Sequence, residues 1–346
     1  MEWIFGPGAG GVSFFFALSG YVLTWSARPR DTAGRFWQRR FAKIYPNYLV
    51  TMLAAIAAVL LVRGYGLTPG IALSNLFLLQ VWIPDPQYFF ALNTVSWSLA
   101  CEAFFYALFP LLRRGLLRLP GNALWPALVG MFMLVWLIPV FAQVLPESYQ
   151  YWAIWVLPVS RLPEFIAGML LAQIVLERRW PQVPLMPMTL ITVAIYMSTR
   201  WLPEDFRLVA GSAVPLALMV ATVGAADANG RPTVWRASWA VWLGELSYAF
   251  YLAHQLVLRL VIKVAGPAQN VFMSITVTVV SLALAFVASW LLYRFVELPG
   301  MVRFGPRRRT VTSTASTAST SPEAHTTQIT REPNRPPTPL LDPEAT

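Results

Sequence analysis

The feature that most constrains this chain is a series of long apolar segments separated by short polar ones. Most of these segments approach the roughly 20 residues that a helix needs to cross a hydrocarbon core about 30 Å thick. Of the 346 residues, 57% are hydrophobic and 12% are charged, whereas a soluble domain has about 25% charged residues. We therefore predict an all-α, polytopic transmembrane helix bundle with about 9–10 membrane helices. Nine helices are expected, over residues 11–27, 46–63, 93–112, 123–144, 160–177, 185–202, 207–225, 243–264 and 271–295.

A further apolar segment, residues 71–83, decides the predicted topology. It lies between Pro69 and Pro84 and is shorter than a membrane span requires. If it does not cross and the loop 28–43 is cytoplasmic, seventeen Lys and Arg residues lie inside and five outside. If it does cross, the split becomes ten inside and twelve outside. The positive-inside rule therefore favours a re-entrant 71–83, a cytoplasmic C-terminus and an N-terminus on the outer side.

The composition changes near residue 303 and divides the chain into two parts. Residues 1–302 are expected to form the membrane domain. Residues 303–346 are rich in Ser, Thr and Pro without apolar periodicity, which predicts a disordered cytoplasmic tail.

Charge and cysteine content exclude several classes of protein. The net charge of +10 could indicate nucleic acid, but the basic residues form short clusters between apolar segments, so membrane topology explains them better. No nucleic-acid partner is expected. The single cysteine, Cys101, excludes an intrachain disulfide and a thiolate metal cluster, and no metal site is predicted. Arg far outnumbers Lys, which is typical of a GC-rich bacterial genome and favours a bacterial plasma membrane.

One acidic residue, Glu102, lies near the middle of the apolar segment 93–112. An ionised carboxylate at this depth costs about 3 kcal/mol, so it must be neutral, paired or facing water. On a helix, Trp97, Glu102 and Tyr106 lie close to one face and could border the same cavity. We interpret Glu102 as part of a site. The alternative is a packing contact with an Arg or Ser of a neighbouring helix.

A basic cluster precedes the second predicted helix. The sequence FWQRRFAKIYPNY, residues 36–48, places Arg39, Arg40 and Lys43 just before Pro46, which we expect to begin that helix. Such a patch suits phosphates, either of lipid headgroups or of a nucleotide-bearing cosubstrate. Plain topogenic charge is an equally good explanation at this stage.

Six collinear segments between residues 8 and 300 together resemble the acyltransferase-3 family of integral-membrane O-acyltransferases. The resemblance implies a ten-helix bundle that takes an acyl group, commonly acetyl, from acyl-CoA on the cytoplasmic side. The acceptor is a hydroxyl of a carbohydrate, glycolipid or glycosylated natural product, and no bound cofactor is implied. The matching segments are GAGGVSFFFALSGYVLTW at 8–25, FWQRRFAKIYPNY at 36–48, NTVSWSLACEAFFYALFPLL at 93–112, RLPEFIAGMLLA at 161–172, LGELSYAFYLAHQ at 243–255 and YRFVELPG at 293–300.

The resemblance also implies roles for individual residues. It gives Arg40 as a contact for the phosphates of acyl-CoA, and Trp97 and Glu102 as lining of the reaction cavity. Members of the family usually begin with a helix that carries an Arg and the His regarded as the catalytic base, and this sequence starts after that helix. We therefore expect either a truncated chain or a different base. Two further departures are Lys43, where Arg is more common, and Ser13, where many members have Asp.

His254 is the only histidine within a predicted span, and Ser247 and Tyr251 share its helix face. It could act as general base, the role that histidine fills most often in enzymes. A histidine that is hydrogen-bonded for packing is the alternative. Arg161 with Glu164, and Arg294 with Glu297, are spaced to pair locally. The predicted catalytic residues are Glu102 and His254, and the predicted substrate-binding residues are Arg39, Arg40, Lys43, Trp97, Tyr106, Ser19 and Tyr251.

Two other functions stay open from the sequence. An inactive or truncated relative of the acyltransferases would keep the motifs without turnover. A transporter would also place Glu, Arg and His within the membrane, but the sequence has no internal repeat to support it.

Overall fold

The computed structural model describes residues 8–28, 31–62, 66–266 and 269–306. Within these ranges the protein is helical and has no strand, which confirms the predicted all-α class. The predicted tail falls almost wholly outside the described residues. The helices are α1 (Gly8–Trp25), α2 (Ala33–Val62), α3 (Pro69–Leu76), α4 (Pro86–Phe89), α5 (Ser96–Leu116), α6 (Leu124–Ala142), α7 (Glu147–Tyr151), α8 (Pro158–Leu176), α9 (Leu185–Ser198), α10 (Glu204–Leu208), α11 (Ala210–Ala228), α12 (Ser238–Ala265), α13 (Val271–Leu292) and α14 (Leu298–Phe304).

Each of the nine predicted segments contains a helix, and six helical stretches in the described part are long and apolar enough to cross a membrane. The chain is therefore a membrane protein. Of the other three, α1 and α9 are shorter, and α5 is more polar because it carries Ser96, Ser98 and Glu102. The six stretches are Ala33–Leu61, Gly121–Ala142, Glu147–Leu176, Glu204–Ala228, Ser238–Ala265 and Val271–Phe304.

The short segment 71–83 does not cross the membrane as one helix. Its helix α3 has eight residues, so it is roughly 12 Å long. Thr68 caps this helix by accepting a hydrogen bond from the backbone N–H of Ile71 at 3.2 Å. A turn of 3₁₀ helix at Gln80–Trp82 follows, and the side chain of Gln80 is buried. This geometry agrees with the expected re-entrant segment.

The prediction that Pro46 begins a helix is wrong. Helix α2 starts thirteen residues earlier, at Ala33, and runs through Pro46 without a break. A proline inside a helix leaves the carbonyl four residues before it, here that of Ala42, without its usual donor. Helix α14 packs against this point, since a Cβ on Gly300 would lie 2.9 Å from Pro46 Cγ and 3.3 Å from the Ala42 oxygen. The basic cluster is therefore part of the helix itself.

Helices α1 and α8 make the closest backbone contact at the centre of the bundle. A Cβ added to Gly20 would lie 2.0 Å from the carbonyl oxygen of Phe165, and one added to Gly168 would lie 2.0 Å from that of Ala17. Small residues at such crossings let membrane helices approach closely. Phe16 packs its ring edge against Phe105 of α5 at 5.1 Å, so α1 is held between α8 and α5.

Two turns of π-helix interrupt the regular helices, at Trp152–Val156 and Tyr293–Glu297. The second of these makes the predicted pairing of Arg294 with Glu297 wrong. A π-turn is wider than an α-turn, so residues three apart no longer face each other. Glu297 is buried and instead accepts a hydrogen bond from the side-chain amide of Asn47 at 2.7 Å.

Candidate functional site

Glu102 lies on α5 at the centre of a hydrogen-bonded group inside the bundle. Its Oε1 accepts a hydrogen bond from Ser19 Oγ of α1 at 2.6 Å and another from the hydroxyl of Tyr106. Tyr106 is one helical turn further along α5, so the i,i+4 spacing of the sequence produces this contact. Glu102 is 3% exposed. Within the described residues it forms no ion pair with Arg or Lys, so its partners are the two hydroxyls.

Arg40 covers the ring of Tyr106 from the side of α2. Its guanidinium carbon lies 5.7 Å from the centre of the Tyr106 ring and 5.9 Å from that of Phe36. The indole N–H of Trp37 donates to the Tyr106 carbonyl at 2.9 Å, which fixes the start of α2 against α5. The Nε of Arg40 is buried and has no hydrogen-bond partner among the described residues. A buried cationic donor without a partner is available to an anion.

Arg40 also lines a cavity of about 280 Å³, which we call the basic cavity, between the C-terminal ends of α1 and α5 and the start of α2. Asp31 is its only acidic lining residue, and this carboxylate pairs with Arg39 through two contacts, one of them 3.0 Å long. The other arginines of the cavity make no ion pair within the described part of the chain. The charged lining residues are Arg28, Asp31, Arg39, Arg40, Arg113 and Arg114.

A second cavity of about 330 Å³, which we call the apolar groove, lies on the other side of Arg40 between α2 and α5. Its few polar groups are mostly occupied: the Tyr45 hydroxyl donates to the Leu76 carbonyl at 3.0 Å, and the Trp37 and Tyr106 donors are bonded as described above. The lining residues are Trp37, Arg40, Phe41, Ile44, Tyr45, Leu78, Leu99, Ala103, Tyr106 and Ala107.

Trp97 lies one and a half turns before Glu102 and packs in an aromatic layer next to α1 and α8. Its ring is 6.4 Å from that of Phe16 and 5.4 Å from that of Trp155. Arg161 lies 5.3 Å from both of these rings, which is within the range of a cation–π contact. Trp97 and Glu102 therefore lie on the same helix, but the side chain of Trp97 belongs to a separate cluster.

The predicted pairing of Arg161 with Glu164 is confirmed, at 3.0 Å, and the pair is buried in the core of the bundle. Arg161 is 0% exposed and Glu164 is 2% exposed. Arg161 Nη2 also donates to Ser13 Oγ at 3.1 Å. Ser13, which stands where the resemblance leads one to expect Asp, thus accepts from the buried cation without adding a charge.

Tyr251 and His254 share a face of α12, as their spacing predicts, with ring centres 5.8 Å apart, but the hydrogen bonds of these residues and of Ser247 lead to different partners. Tyr251 shares a hydrogen bond with Ser98 of α5 at 2.6 Å, which places it one turn from Glu102. His254 Nδ1 faces the carbonyl of Phe250 on its own helix at 3.1 Å, and its ring stacks on Phe250 at 5.7 Å. Ser247 is exposed and donates to its own helix. No contact between His254 and Glu102 occurs within the described residues.

The structure thus gathers Ser19, Glu102, Tyr106 and Arg40 into one site, and places Arg39 in the adjoining cavity. Lys43 lines neither cavity. Sequence reasoning missed Arg28, Asp31, Arg113 and Arg114 as lining residues, because the three arginines were interpreted only as topology signals and Asp31 was not considered. One sequence signal for this lining was available: Arg113 and Arg114 lie at the end of the same helix that carries the intramembrane acid Glu102. In the described part of the chain, no group of three His, Cys, Asp or Glu side chains could hold a metal ion.

Comparisons with known proteins agree on one family. A family model described as an acyltransferase domain matches residues 3–294. The chain is 36% identical to the acyltransferase MdmB of Streptomyces mycarofaciens, over 87% of this chain and 83% of that protein. It is 30% identical to the exopolysaccharide production protein ExoZ of Rhizobium meliloti, over 90% and 95%. It is 25% identical to the peptidoglycan O-acetyltransferase OatA of Listeria monocytogenes, over 84% of this chain and 50% of that protein. No solved structure matches.

Proposed function

We propose that this chain uses acyl-CoA to acylate a hydroxyl. The premise is that the chain belongs to the family of membrane acyltransferases described by that domain and is an enzyme that transfers acyl groups. The acceptor class is a carbohydrate, a glycolipid or a glycosylated natural product. The single observation that carries this proposal is Glu102, a buried acid in a membrane helix that is held by two hydroxyls beside a cation-lined cavity.

The basic cavity is the proposed place for the phosphates of the donor. Four of its arginines make no ion pair within the described part of the chain, and phosphate oxygens are strong acceptors for guanidinium donors. An acyl-CoA donor carries several phosphate charges on one side of a thioester. Arg40 lies where the basic cavity meets the Tyr106–Glu102 pair, so a donor bound by its phosphates would direct its thioester towards Glu102.

The chemistry assigned to Glu102 is proton transfer. The acceptor oxygen attacks the thioester carbonyl, a C–O bond forms, the C–S bond breaks, and CoA leaves as a thiol once it is protonated. The attacking hydroxyl must lose its proton, and a carboxylate within hydrogen-bond reach can accept it. Only Oε1 of Glu102 receives hydrogen bonds from described residues, so Oε2 is available for that proton. Ser19 and Tyr106 position the carboxylate, and His254, which is bonded to its own helix, is the weaker candidate.

The relatives favour an acceptor outside the cytoplasm. One is named for exopolysaccharide production and another for O-acetylation of peptidoglycan, both of which are envelope glycans. We accordingly propose the bacterial plasma membrane as the location and acetyl as one acyl group that the enzyme accepts. The acyl-CoA donor would reach the basic cavity from the cytoplasm, because the positive-inside rule places clusters of arginine on that side of the membrane.

Glu102→Gln tests the proposal because it keeps the size of the side chain and removes the base. Membranes that contain the full chain are incubated with radiolabelled acetyl-CoA and envelope glycan, and label in the glycan is measured. We expect at least a hundredfold loss for Glu102→Gln, since positioned acid–base groups contribute about 10²- to 10⁴-fold. The amount of protein inserted in the membrane should stay the same.

Tyr149→Phe is the matched control, since it removes an exposed hydroxyl outside the site and should keep full activity. Undiminished transfer by Glu102→Gln would contradict the role of the carboxylate. No transfer by the unaltered chain would favour an inactive relative, and solute uptake without consumption of acetyl-CoA would favour a transporter.

A further inference from the structure

We infer that the apolar groove is a subsite for the acyl chain of the donor, so that the protein binds acyl-CoA donors longer than acetyl-CoA and prefers them. This inference rests on the proposed function, because it assumes that the donor phosphates occupy the basic cavity. It adds a binding site for an aliphatic chain and a direction of chain-length preference.

The first argument is the continuity of the two cavities through Arg40. This residue lines both of them, and its guanidinium lies 5.9 Å from the ring of Phe36, which lines the basic cavity, and 5.7 Å from the ring of Tyr106, which lines the groove. A ligand anchored by anionic groups on one side of Arg40 therefore meets apolar surface on the other side. Acyl-CoA has this distribution, with phosphates at one end and an aliphatic chain at the other.

The second argument is the chemistry of the groove wall. The hydrogen-bonding side-chain groups of Trp37, Tyr45 and Tyr106 are already bonded within the protein, so away from Arg40, at the junction with the basic cavity, the side chains of the wall offer almost no free donor or acceptor. A ligand segment with amides would lose hydrogen bonds to water here without replacement. A hydrocarbon segment would lose nothing and would gain by leaving water. This favours the acyl chain over the amide-bearing arm of CoA as the occupant.

The third argument is size and position. At about 330 Å³ the groove is much larger than the methyl group of an acetyl thioester needs. Phe41 and Ala107 on its rim are exposed, so the groove opens sideways towards the lipid and does not limit a chain that extends further. Tyr106 forms one wall and donates to Glu102, which brings the groove to the proposed place of the thioester carbon.

Donor binding tests this inference without knowledge of the acceptor. The full chain is purified in detergent, and isothermal titration calorimetry measures the Kd of CoA, acetyl-CoA, butyryl-CoA and hexanoyl-CoA. Burial of each methylene should tighten binding about fourfold, so butyryl-CoA, with two more methylenes, should bind about fifteenfold more tightly than acetyl-CoA, and hexanoyl-CoA more tightly again. Equal affinity for acetyl-CoA and hexanoyl-CoA would overturn the inference.

A variant that fills the groove locates the effect. Ala107→Leu adds three carbons to an exposed position on the groove rim and suits a helix, so the fold should survive. We expect the ratio of hexanoyl-CoA to acetyl-CoA affinity to fall at least fivefold in this variant. Ala57→Leu on an exposed face of α2, outside the groove, is the matched control and should keep the ratio of the unaltered chain.

The alternatives give different results. If the arm of CoA occupies the groove, Ala107→Leu weakens CoA, acetyl-CoA and hexanoyl-CoA equally and the ratio does not change, which overturns the inference. If a bilayer lipid occupies it, chain length has no effect on affinity in any variant, which also overturns it. Failure of CoA and all its esters to bind would instead contradict the proposed donor, and with it the function itself.

Discussion

Arg161 is the largest side chain that the bundle buries completely, and it shows how a single residue can depend on its partner. Its charge is balanced by Glu164 at 3.0 Å and by the Ser13 hydroxyl, while its Nε and Nη1 have no hydrogen-bond partner among the described residues. Such a pair is costly to bury, but it is more costly to break, because one charge then stays behind without compensation.

We expect Glu164→Leu to lower the free energy of unfolding by about 3–5 kcal/mol, because it leaves Arg161 unpaired in the core. The double variant Arg161→Met/Glu164→Leu, which removes both charges, should recover most of that loss. Thermal unfolding of the purified proteins, followed by size-exclusion chromatography after heating, measures both. If the double variant is less stable than the single one, the charges do not act as a pair.

At the same scale, the sequence predicted that Glu102 and Tyr106 share a helix face and missed most of the arginines that line the adjoining cavity. Glu102 and Tyr106 were predictable because they lie on one helix, where spacing alone determines contact. Ser19 was predicted only as a candidate residue, since it lies 83 residues before Glu102 and on a different helix. His254 was assigned because it is the only histidine in a predicted span, and its hydrogen-bonding contact with the Phe250 carbonyl of its own helix gives no support to that assignment.

Among the elements, the crossing of α1 and α8 sets the tightest geometric demand. Both Gly20 and Gly168 face backbone carbonyls of the opposite helix, and backbone cannot move aside as the end of a side chain can. Ser19, which donates to Glu102, is the residue next to Gly20. The position of that hydroxyl therefore depends on the distance between these two helices.

We expect Gly168→Ala to push α1 and α8 apart and to destabilise the protein by about 1–3 kcal/mol, as overpacking does in other cores. Gly130→Ala on α6 is the matched control, since a Cβ there meets open space and alanine favours a helix. The midpoint of thermal unfolding is measured for both variants. A midpoint for Gly168→Ala at or above that of Gly130→Ala would contradict the close contact.

Element boundaries were predicted well where apolar composition changes and badly where backbone geometry decides. The start of α2 was wrong by thirteen residues, because proline at position 46 was expected to begin a helix and instead lies inside one. The π-turn at Tyr293–Glu297 has no signal in the spacing of apolar residues, so the separation of Arg294 from Glu297 could not be predicted. Both features depend on packing against distant helices.

For the whole molecule, the convergence of α1, α2 and α5 brings five arginines together around the basic cavity. The net charge of +10 was predicted to reflect membrane topology, and the five arginines of this cavity show that part of it also surrounds a cavity. A sequence pattern could not separate the two roles, since both place arginine at the ends of helices. Only the structure distinguishes arginines that line the cavity from arginines that mark topology, because it shows where α1, α2 and α5 converge.

We expect Arg113→Gln/Arg114→Gln to weaken the binding of CoA at least tenfold, because charge-assisted hydrogen bonds to phosphate are lost. The dependence of the Kd on salt should also become weaker, since fewer charges are screened. Arg118→Gln is the matched control, because Arg118 is exposed near the same end of α5 but does not line the cavity. Calorimetry at two salt concentrations measures the Kd of CoA for each variant. An equal loss of CoA affinity in Arg113→Gln/Arg114→Gln and in Arg118→Gln would contradict a phosphate site in the basic cavity.

The single thiol of the chain is sealed inside the bundle, where Cys101 Sγ donates to the carbonyl of Val156 at 3.2 Å and is 0% exposed. A maleimide added from either side of the membrane would therefore find no native target. Cysteines introduced one at a time into the loops could be labelled against a silent background, without first replacing Cys101. Membrane-impermeant reagents would then reveal which loops face the cytoplasm, and so decide the orientation that the distribution of arginines predicts.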